Sequence, residues 1–267
     1  MTAPLLSILV PVYNEERTIV EILARVRAVD LPTEIIVVDD GSTDGTASLV
    51  ARVEGITLLR HGQNRGKGEA IATALARAHG EICLTQDADL EYDPADIPAL
   101  YARYLAGDVD AVYGSRILGP SQGRSSRFFY WGGRLVSLTA SVLYGTRITD
   151  EPTGYKLIGT ALLRSLDVRA RRFDFCPELT GRLLRRGGRL VEIPIHYHPR
   201  RPGDGKKITA RDGFLAIWVL VRERFARGGD ALRLDRAAVR PLARGEQRDA
   251  LAALGPERDK DDAHEPE

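Results

Sequence analysis

The sequence predicts an α/β protein, a mostly parallel sheet with helices on both faces, on three observations. Short apolar runs alternate with stretches of helical periodicity through the first half of the chain. The connections between them are short. Polar residues gather where the apolar runs end, which is the edge at which open parallel sheets bind ligands.

The elements follow in order. Residues 7–12 (SILVPV) are an apolar, β-branched run and read as the first strand. Asn14 offers an N-cap, and Ile19, Ile22, Leu23 and Val26 then put one apolar face on a helix. Residues 34–40 (EIIVVDD) form a second strand that ends in carboxylates, and Ser42 and Thr43 turn into a short helix with Ala47, Leu49 and Val50. A third strand is expected at 56–59. An alanine-rich helix over 69–79, closed by Gly80, leads to a fourth strand at 81–85 that ends at Gln86-Asp87. A helix over 94–105 and a strand at 111–113 complete the alternation. Beyond Gly114 the pattern loosens into a basic, aromatic stretch (GRSSRFFYWGGRL), the segment DEPTGYKL, a helix over 177–186 and a strand in LVEIPIHYH. Apolar helices are expected at 135–144 and, in amphipathic form near the C-terminus, at 209–227. Trp218 with its flanking arginines suits a helix lying in a membrane interface, and packing against the sheet is the plainer reading.

Composition narrows the class. The 267 residues are 43% hydrophobic and 28% charged, as in a soluble globular protein. Lys and Arg number 38 against 37 Asp and Glu, a net charge of +1, which argues against a nucleic-acid binder working through a basic surface. No apolar run reaches the roughly 18 residues of a membrane span. Cys83 and Cys176 stand in unrelated contexts without a CxxC spacing and read as buried apolar residues. The N-terminus lacks a basic segment and a cleavage site, so a cytoplasmic location is expected. Residues 1–229 read as one domain, and 230–267 as a weakly ordered charged tail.

Three clusters at strand ends carry the chemistry. DADLE (87–91) directly follows a buried strand, so Asp87 and Asp89 at i, i+2 can face one point. Such oxygens suit Mg²⁺ or Mn²⁺, and Glu91 can supply a third. The competing local reading is a helix-entry turn capped by Asp89 or Asp93. VVDDGSTDGT (37–46) places Asp39 and Asp40 where acidic residues accept hydrogen bonds from a ribose or base, or where an Asx-rich turn needs them. NRGKG (64–68) precedes a helix, so its backbone N–H groups and Lys67 can meet an anion.

PVYNEE, VVDDGSTDGT, NRGKGEA and DADLEY, in this order and spacing, resemble the inverting family 2 glycosyltransferases with the Rossmann-like GT-A fold. The likeness continues through GSR, SSRFFYWGGRL, DEPTGYKL and IPIHYHPRRPGDGKKI, covers about residues 5–226, and is nearest the dolichol- and polyprenyl-phosphate mannose synthase branch. That resemblance implies a nucleotide pocket lined by Pro11, Tyr13, Glu15, Asp39 and Asp40, and a divalent ion held by Asp87, Asp89 and Glu91. It implies a nucleotide-sugar donor, GDP-mannose before UDP-glucose, and a lipid acceptor.

Acceptor chemistry can be read further. A hydroxyl acceptor needs a general base, and Asp150, Asp174 and Glu178 are the candidates for one. A phosphate monoester, with a second pKa near about 6, is already anionic and needs positioning and charge neutralisation. Arginine forks suit that task. Arg116 and Arg134, then Arg127, are the expected acceptor-phosphate ligands beside Asp89, and Arg201 and Lys207 are expected on a loop that closes over the donor diphosphate. His196 and His198 read as packing residues before metal ligands. The expected location is the cytoplasmic face of a membrane, held there peripherally or through a membrane-protein partner. A non-catalytic nucleotide-sugar-binding protein is the alternative from another class.

Overall fold

A computed structural model describes residues 5–120, 127–200 and 210–226. Among these, seven strands form one sheet: β1 (Leu6–Val12), β2 (Thr33–Asp39), β3 (Thr57–Arg60), β4 (Ile82–Thr85), β5 (Ala111–Ser115), β6 (Lys156–Gly159) and β7 (Leu190–Pro194), in spatial order β3-β2-β1-β4-β6-β5-β7. Helices α1 (Ile19–Arg27), α2 (Thr46–Val50) and α4 (Ile97–Leu105) cover one face. Helices α3 (Lys67–Leu75), α6 (Thr160–Ser165) and α7 (Phe175–Arg185) cover the other. Two further helices, α5 (Arg127–Tyr144) and α8 (Ala210–Phe225), pack on one another and on α7.

The central strands are apolar throughout because both faces are covered. Along β1, Leu6, Ile8, Val10 and Val12 enter the core under α1 and α4, while Leu9 enters the one under α3. Each such side chain contributes about 1.5–3 kcal/mol by leaving water. Pro11 breaks no ladder. The β1–β4 pairing ends at Leu9 with Thr85, so its missing N–H falls beyond the last partner on that side.

The chain runs outward from β1 to β2 and β3, then returns to place β4 on the other side of β1. This reversal opens a crevice at the C-terminal ends of β1 and β4, the usual place for a ligand in such sheets. One strand, β6, runs antiparallel to β4 and β5, and the parallel alternation of the sequence does not announce it. Several boundaries also differ from expectation: α5 starts at Arg127 instead of 135, and two others show a cause. Helix α3 ends at Leu75 because the chain is diverted toward Glu34, whose carboxylate accepts hydrogen bonds from the His79 and Gly80 amides. Strand β7 stops at Pro194, after which the His196 amide donates to Asp96 Oδ2.

Candidate active site

The loops after β1 and β2 are sewn together. The Asn14 amide donates to Ser42 Oγ at 2.9 Å, the Thr43 amide to Asn14 Oδ1 at 2.8 Å, and the Glu15 amide to Thr46 Oγ1 at 2.9 Å. Asn14 takes φ +53°, a conformation Asn tolerates better than most residues, and this turns Glu15 toward the crevice. Pro11, Tyr13 and Glu15 are all partly exposed along this rim.

The paired aspartates of the second cluster separate. Asp39 is fully buried and accepts from the Ser42 amide, and Arg60 Nε lies 3.0 Å from its Oδ2. That oxygen has no aligned hydrogen bond among the described residues. Asp40, expected to line the nucleotide pocket, instead points into the fold. Its Oδ1 accepts from the Arg65 amide at 2.9 Å and faces His61 Nδ1 at 2.7 Å, and its Oδ2 accepts from the Gly66 amide at 2.7 Å. His61 Nε2 lies 2.9 Å from Thr73 Oγ1 on α3. Asp40 therefore moulds the NRGKG turn. Glycine is needed there: Gly66 has φ +101°, and a Cβ would lie 2.3 Å from the Arg171 carbonyl oxygen.

This turn presents Lys67 at the start of α3, with Nζ 2.5 Å from Asp87 Oδ1. Lys67, expected to meet a donor phosphate, is here the counter-ion of Asp87. Burial pushes its ammonium down, but the Asp87 charge outweighs this and holds it above the ordinary lysine range. Asp89 is pushed up to about 7, first by burial and then by the negative charges of Asp87 and Glu91. Its Oδ1 accepts from the Glu91 amide across Leu90, whose φ of +62° is rare for a side chain of that size.

Glu91 departs from expectation. Its carboxylate accepts from the Arg200 amide at 3.0 Å and from Tyr197 Oη at 3.2 Å, so it anchors the 197–200 segment instead of facing its two neighbours. No group of three or more His, Cys, Asp or Glu side chains gathers as a metal cage among the described residues. Asp87 and Asp89 remain. A Mg²⁺ or Mn²⁺ site of one or two carboxylates, completed by substrate phosphates and water, needs no more, and their mutual repulsion favours a cation between them. The residues fit the ion with Glu91 excluded.

Arg200 was not singled out by its sequence context. Its Nη2 donates to Glu15 and its Nε to the Asp89 carbonyl at 3.2 Å, spanning the crevice from the β1 loop to the β4 loop. Arg201 and Lys207 lie outside the described residues, as does the stretch 227–267 that includes the expected tail. His196 is exposed and pairs with Asp96 at 2.7 Å, away from the carboxylate pair.

The DEPTGYKL segment is the floor. Tyr92 Oη accepts from the Gly154 amide at 2.8 Å, Thr85 Oγ1 donates to the Gly154 carbonyl, and Tyr92 stacks on Tyr155 with centroids 4.9 Å apart. At the start of this segment the two arginines read as phosphate ligands come together. Arg116 grips Asp150 with Nε and Nη2, both at 2.7 Å, and lies over the Tyr197 ring at 5.3 Å. Arg134 Nη1 donates to the adjacent Thr149 carbonyl at 3.1 Å. Burial pushes the Arg116 guanidinium down, yet the Asp150 charge prevails and holds it above its ordinary range. Of Arg127 only its place at the start of α5 is described.

Comparison with known proteins agrees with this architecture. A family model described as Glycosyl transferase family 2 matches residues 7–164. The chain belongs to glycosyl transferase family 2. A low-salt glycan biosynthesis hexosyltransferase of Haloferax volcanii is 30% identical over 220 residues, 79% of this chain and 52% of the relative. An undecaprenyl-phosphate 4-deoxy-4-formamido-L-arabinose transferase of Pseudomonas fluorescens is 30% identical over 77% of this chain and 60% of its own length. A UDP-N-acetylglucosamine–dolichyl-phosphate N-acetylglucosaminyltransferase of Methanococcus voltae is 27% identical over 73% of this chain and 86% of its own. The chain thus spans little more than half of the first two relatives. Among solved structures, glucosyl-3-phosphoglycerate synthase of Mycobacterium tuberculosis, in complex with Mn²⁺, UDP and phosphoglyceric acid, superposes with a TM-score of 0.66 at 23% identity, covering 83% of this chain and 79% of that one. The fold is GT-A.

Proposed function

We propose that this family 2 protein is a metal-dependent inverting hexosyltransferase that moves a sugar from a nucleotide donor to a polyprenyl phosphate, with GDP-mannose as first donor and UDP-glucose as its rival. The observation that carries the reading is the convergence of Arg116 and Arg134 on Thr149-Asp150, across the Gly154 floor from Asp87 and Asp89. The names of the relatives from Pseudomonas and Methanococcus, which print undecaprenyl and dolichyl phosphate, support the acceptor class.

The chain's own residues divide the work. Asp39, fully buried beside Arg60 and accepting from the Ser42 amide, shapes the turn after β2 on which the nucleotide would lie. Asp87 and Asp89 would hold Mg²⁺ or Mn²⁺, which when bound neutralises charge on the departing nucleoside diphosphate. Lys67 and Arg200 set cationic charge at the two ends of the carboxylate pair, and both can turn to the diphosphate oxygens when the ion takes their place. Arg134, with Arg116 beside it, positions the acceptor phosphate for in-line attack at the anomeric carbon. No base is required, and two of the candidate carboxylates are already committed. Asp150 is held by Arg116, while Glu178 pairs with Arg182 at 2.6 Å and accepts from the Arg169 amide.

Such an enzyme would act from the cytoplasmic face of the membrane that carries its acceptor. No helix among the described residues is long and apolar enough to cross a membrane. The test is a matrix of sugar nucleotides, including GDP-mannose, UDP-glucose and UDP-N-acetylglucosamine, against polyprenyl phosphate and free-hydroxyl acceptors, with metal or chelator. Transfer to the lipid phosphate alone, lost in EDTA, is the expected result. Transfer to hydroxyl acceptors only, or full activity in EDTA, would overturn it.

A further inference from the structure

Two helices that do not touch the donor crevice carry most of the exposed apolar surface. On α5, Trp131, Leu135, Leu138 and Val142 are 68%, 53%, 60% and 74% exposed. On α8, Phe214, Trp218, Val221 and Phe225 are 74%, 56%, 38% and 71% exposed. Both sets follow the same spacing of four, three and four residues, so each is a single stripe along its helix. The opposite faces meet: Val136 and Ala140 of α5 share a buried cluster with Leu220 of α8 and with Ile148. Packing between the helices is therefore already satisfied on their inner sides. The outer stripes stay largely exposed, touched by residues of their own helices. A lone exposed Leu needs no explanation, but two matched stripes on neighbouring helices do.

Charge says what kind of partner suits them. From residue 117 to residue 149 the sequence carries Arg124, Arg127, Arg134 and Arg147 and no Asp or Glu. On α8, Arg211, Arg222 and Arg224 are exposed and Asp212 is partly exposed, while Glu223 is buried, pairing with Arg222 at 2.8 Å and lying 3.4 Å and 3.9 Å from Arg182 and Arg185. Arg222 lies over the Trp218 ring at 5.1 Å and Arg224 over the Phe225 ring at 5.8 Å. Apolar and aromatic side chains edged by arginines that outnumber the acids match the boundary between acyl chains and anionic headgroups. A two-fold pairing of this face with a second copy would set the same arginines against each other. The chain's two tryptophans, Trp131 and Trp218, both stand on these stripes.

We infer that the outer stripes of α5 and α8 together seat the protein on an anionic lipid bilayer, with Arg134 carried by the same helix that dips into the interface. The inference deepens the polyprenyl-phosphate reading and takes its biological meaning from it. The seat gives the acceptor a path: α5 enters the interface through Trp131, one turn from Arg134, so the phosphate of a lipid resting in the bilayer is met at headgroup depth.

The test uses the full chain, since its tryptophans report directly. Vesicles of phosphatidylglycerol and phosphatidylcholine should shift the tryptophan emission to the blue and co-sediment with the protein, and phosphatidylcholine vesicles alone should bind it at least about 10-fold less well. The double variant Leu138→Glu, Phe225→Glu should lose binding by at least about 10-fold while its circular dichroism is unchanged. It should keep turnover on a short-chain, water-soluble isoprenyl phosphate and lose it on acceptor embedded in vesicles. Wild-type emission that ignores anionic vesicles, or equal binding by the double variant, overturns the inference. So does a dimer in sedimentation velocity that the double variant dissociates, because a second copy is then the occupant. Vesicle binding by the wild type with no transfer to any polyprenyl phosphate would sink the acceptor reading and leave the seat standing.

Discussion

Gly154→Ala reaches the metal carboxylates without touching them chemically. A Cβ on Gly154 would lie 2.4 Å from Asp87 Oδ2 and 3.0 Å from Tyr92 Cε2, where ordinary contact begins at 3.4 Å. The difference, 3.4 − 2.4, is about 1 Å of required movement. The floor cannot supply it easily, because the Gly154 amide is bound to Tyr92 Oη and its carbonyl to Thr85 Oγ1. Asp87 must give way, although Lys67 holds its other oxygen at 2.5 Å. Metal–oxygen distances tolerate only about 0.2 Å, so a ligand displaced several times that far is a poor one. The metal concentration for half-maximal turnover should rise about 10–100-fold, the range typical when a ligand's support is disturbed. Overpacking of this kind costs about 1–3 kcal/mol of stability, which leaves a folded protein to assay. Turnover is measured against Mn²⁺ and Mg²⁺ at saturating donor, with urea unfolding alongside. Gly132→Ala, at a position with nothing within 4 Å of the added carbon, is the control. A metal requirement equal in Gly154→Ala and wild type would refute the placement of the ion at Asp87.

The remaining expectations concern other links. Arg134→Ala should raise the polyprenyl-phosphate KM by about 10-fold, the loss of one charge-assisted hydrogen bond, with the donor KM unchanged; equal acceptor kinetics would remove it from the site. His61→Ala takes the ring from Asp40 and should cost about 1–3 kcal/mol in urea unfolding and raise the donor KM through the loosened NRGKG turn; an unchanged donor KM would show that the turn holds without the ring. Glu34 sits at the far end of the sheet from the crevice. Burial pushes its carboxyl up, but hydrogen bonds from Ser7, from the His79 amide and ring and from the Gly80 amide outweigh this and hold it below the ordinary range. With the folded value depressed, its stabilisation is present at neutral pH and is lost as pH falls below the ordinary glutamate range through that lower value. Glu34→Gln should thus be less stable at pH 7 and decline less steeply with acid; parallel acid profiles for the two proteins would rule this out.

Much of this architecture is readable from residue pattern alone, for identifiable reasons. Strands β1, β2 and β4 are buried on both faces and announce themselves as apolar runs, and Tyr13-Asn14-Glu15, Asp39-Asp40 and Asp87-Asp89 fall just at or beyond their ends because that is where the crevice lies. Other features leave no local mark. Strand β6 is four residues long and opens with Lys156, a fully buried lysine whose Nζ lies 3.5 Å from the Tyr113 ring centroid and donates to the Glu151 carbonyl. No periodicity survives in so short a segment. Asp39 and Asp40 are adjacent and identical in type, yet the strand pleat gives them different surroundings, and only the fold shows that Asp40 serves the NRGKG turn. Glu91 extends the DADLE pattern in sequence but is claimed by Tyr197 and Arg200 more than a hundred residues away. Nothing in the local context of Arg200 marks it, and only the long-range contact with Glu15 shows its place at the crevice.

The central claim is that Asp87 and Asp89 hold a divalent ion together with a nucleotide diphosphate. Calorimetric titration of Mn²⁺ into the wild type and Asp89→Asn, each with saturating nucleoside diphosphate, tests it most directly. The account predicts one nucleotide-dependent Mn²⁺ site in the wild type and its loss in the variant. Equal Mn²⁺ binding by the two proteins would contradict it.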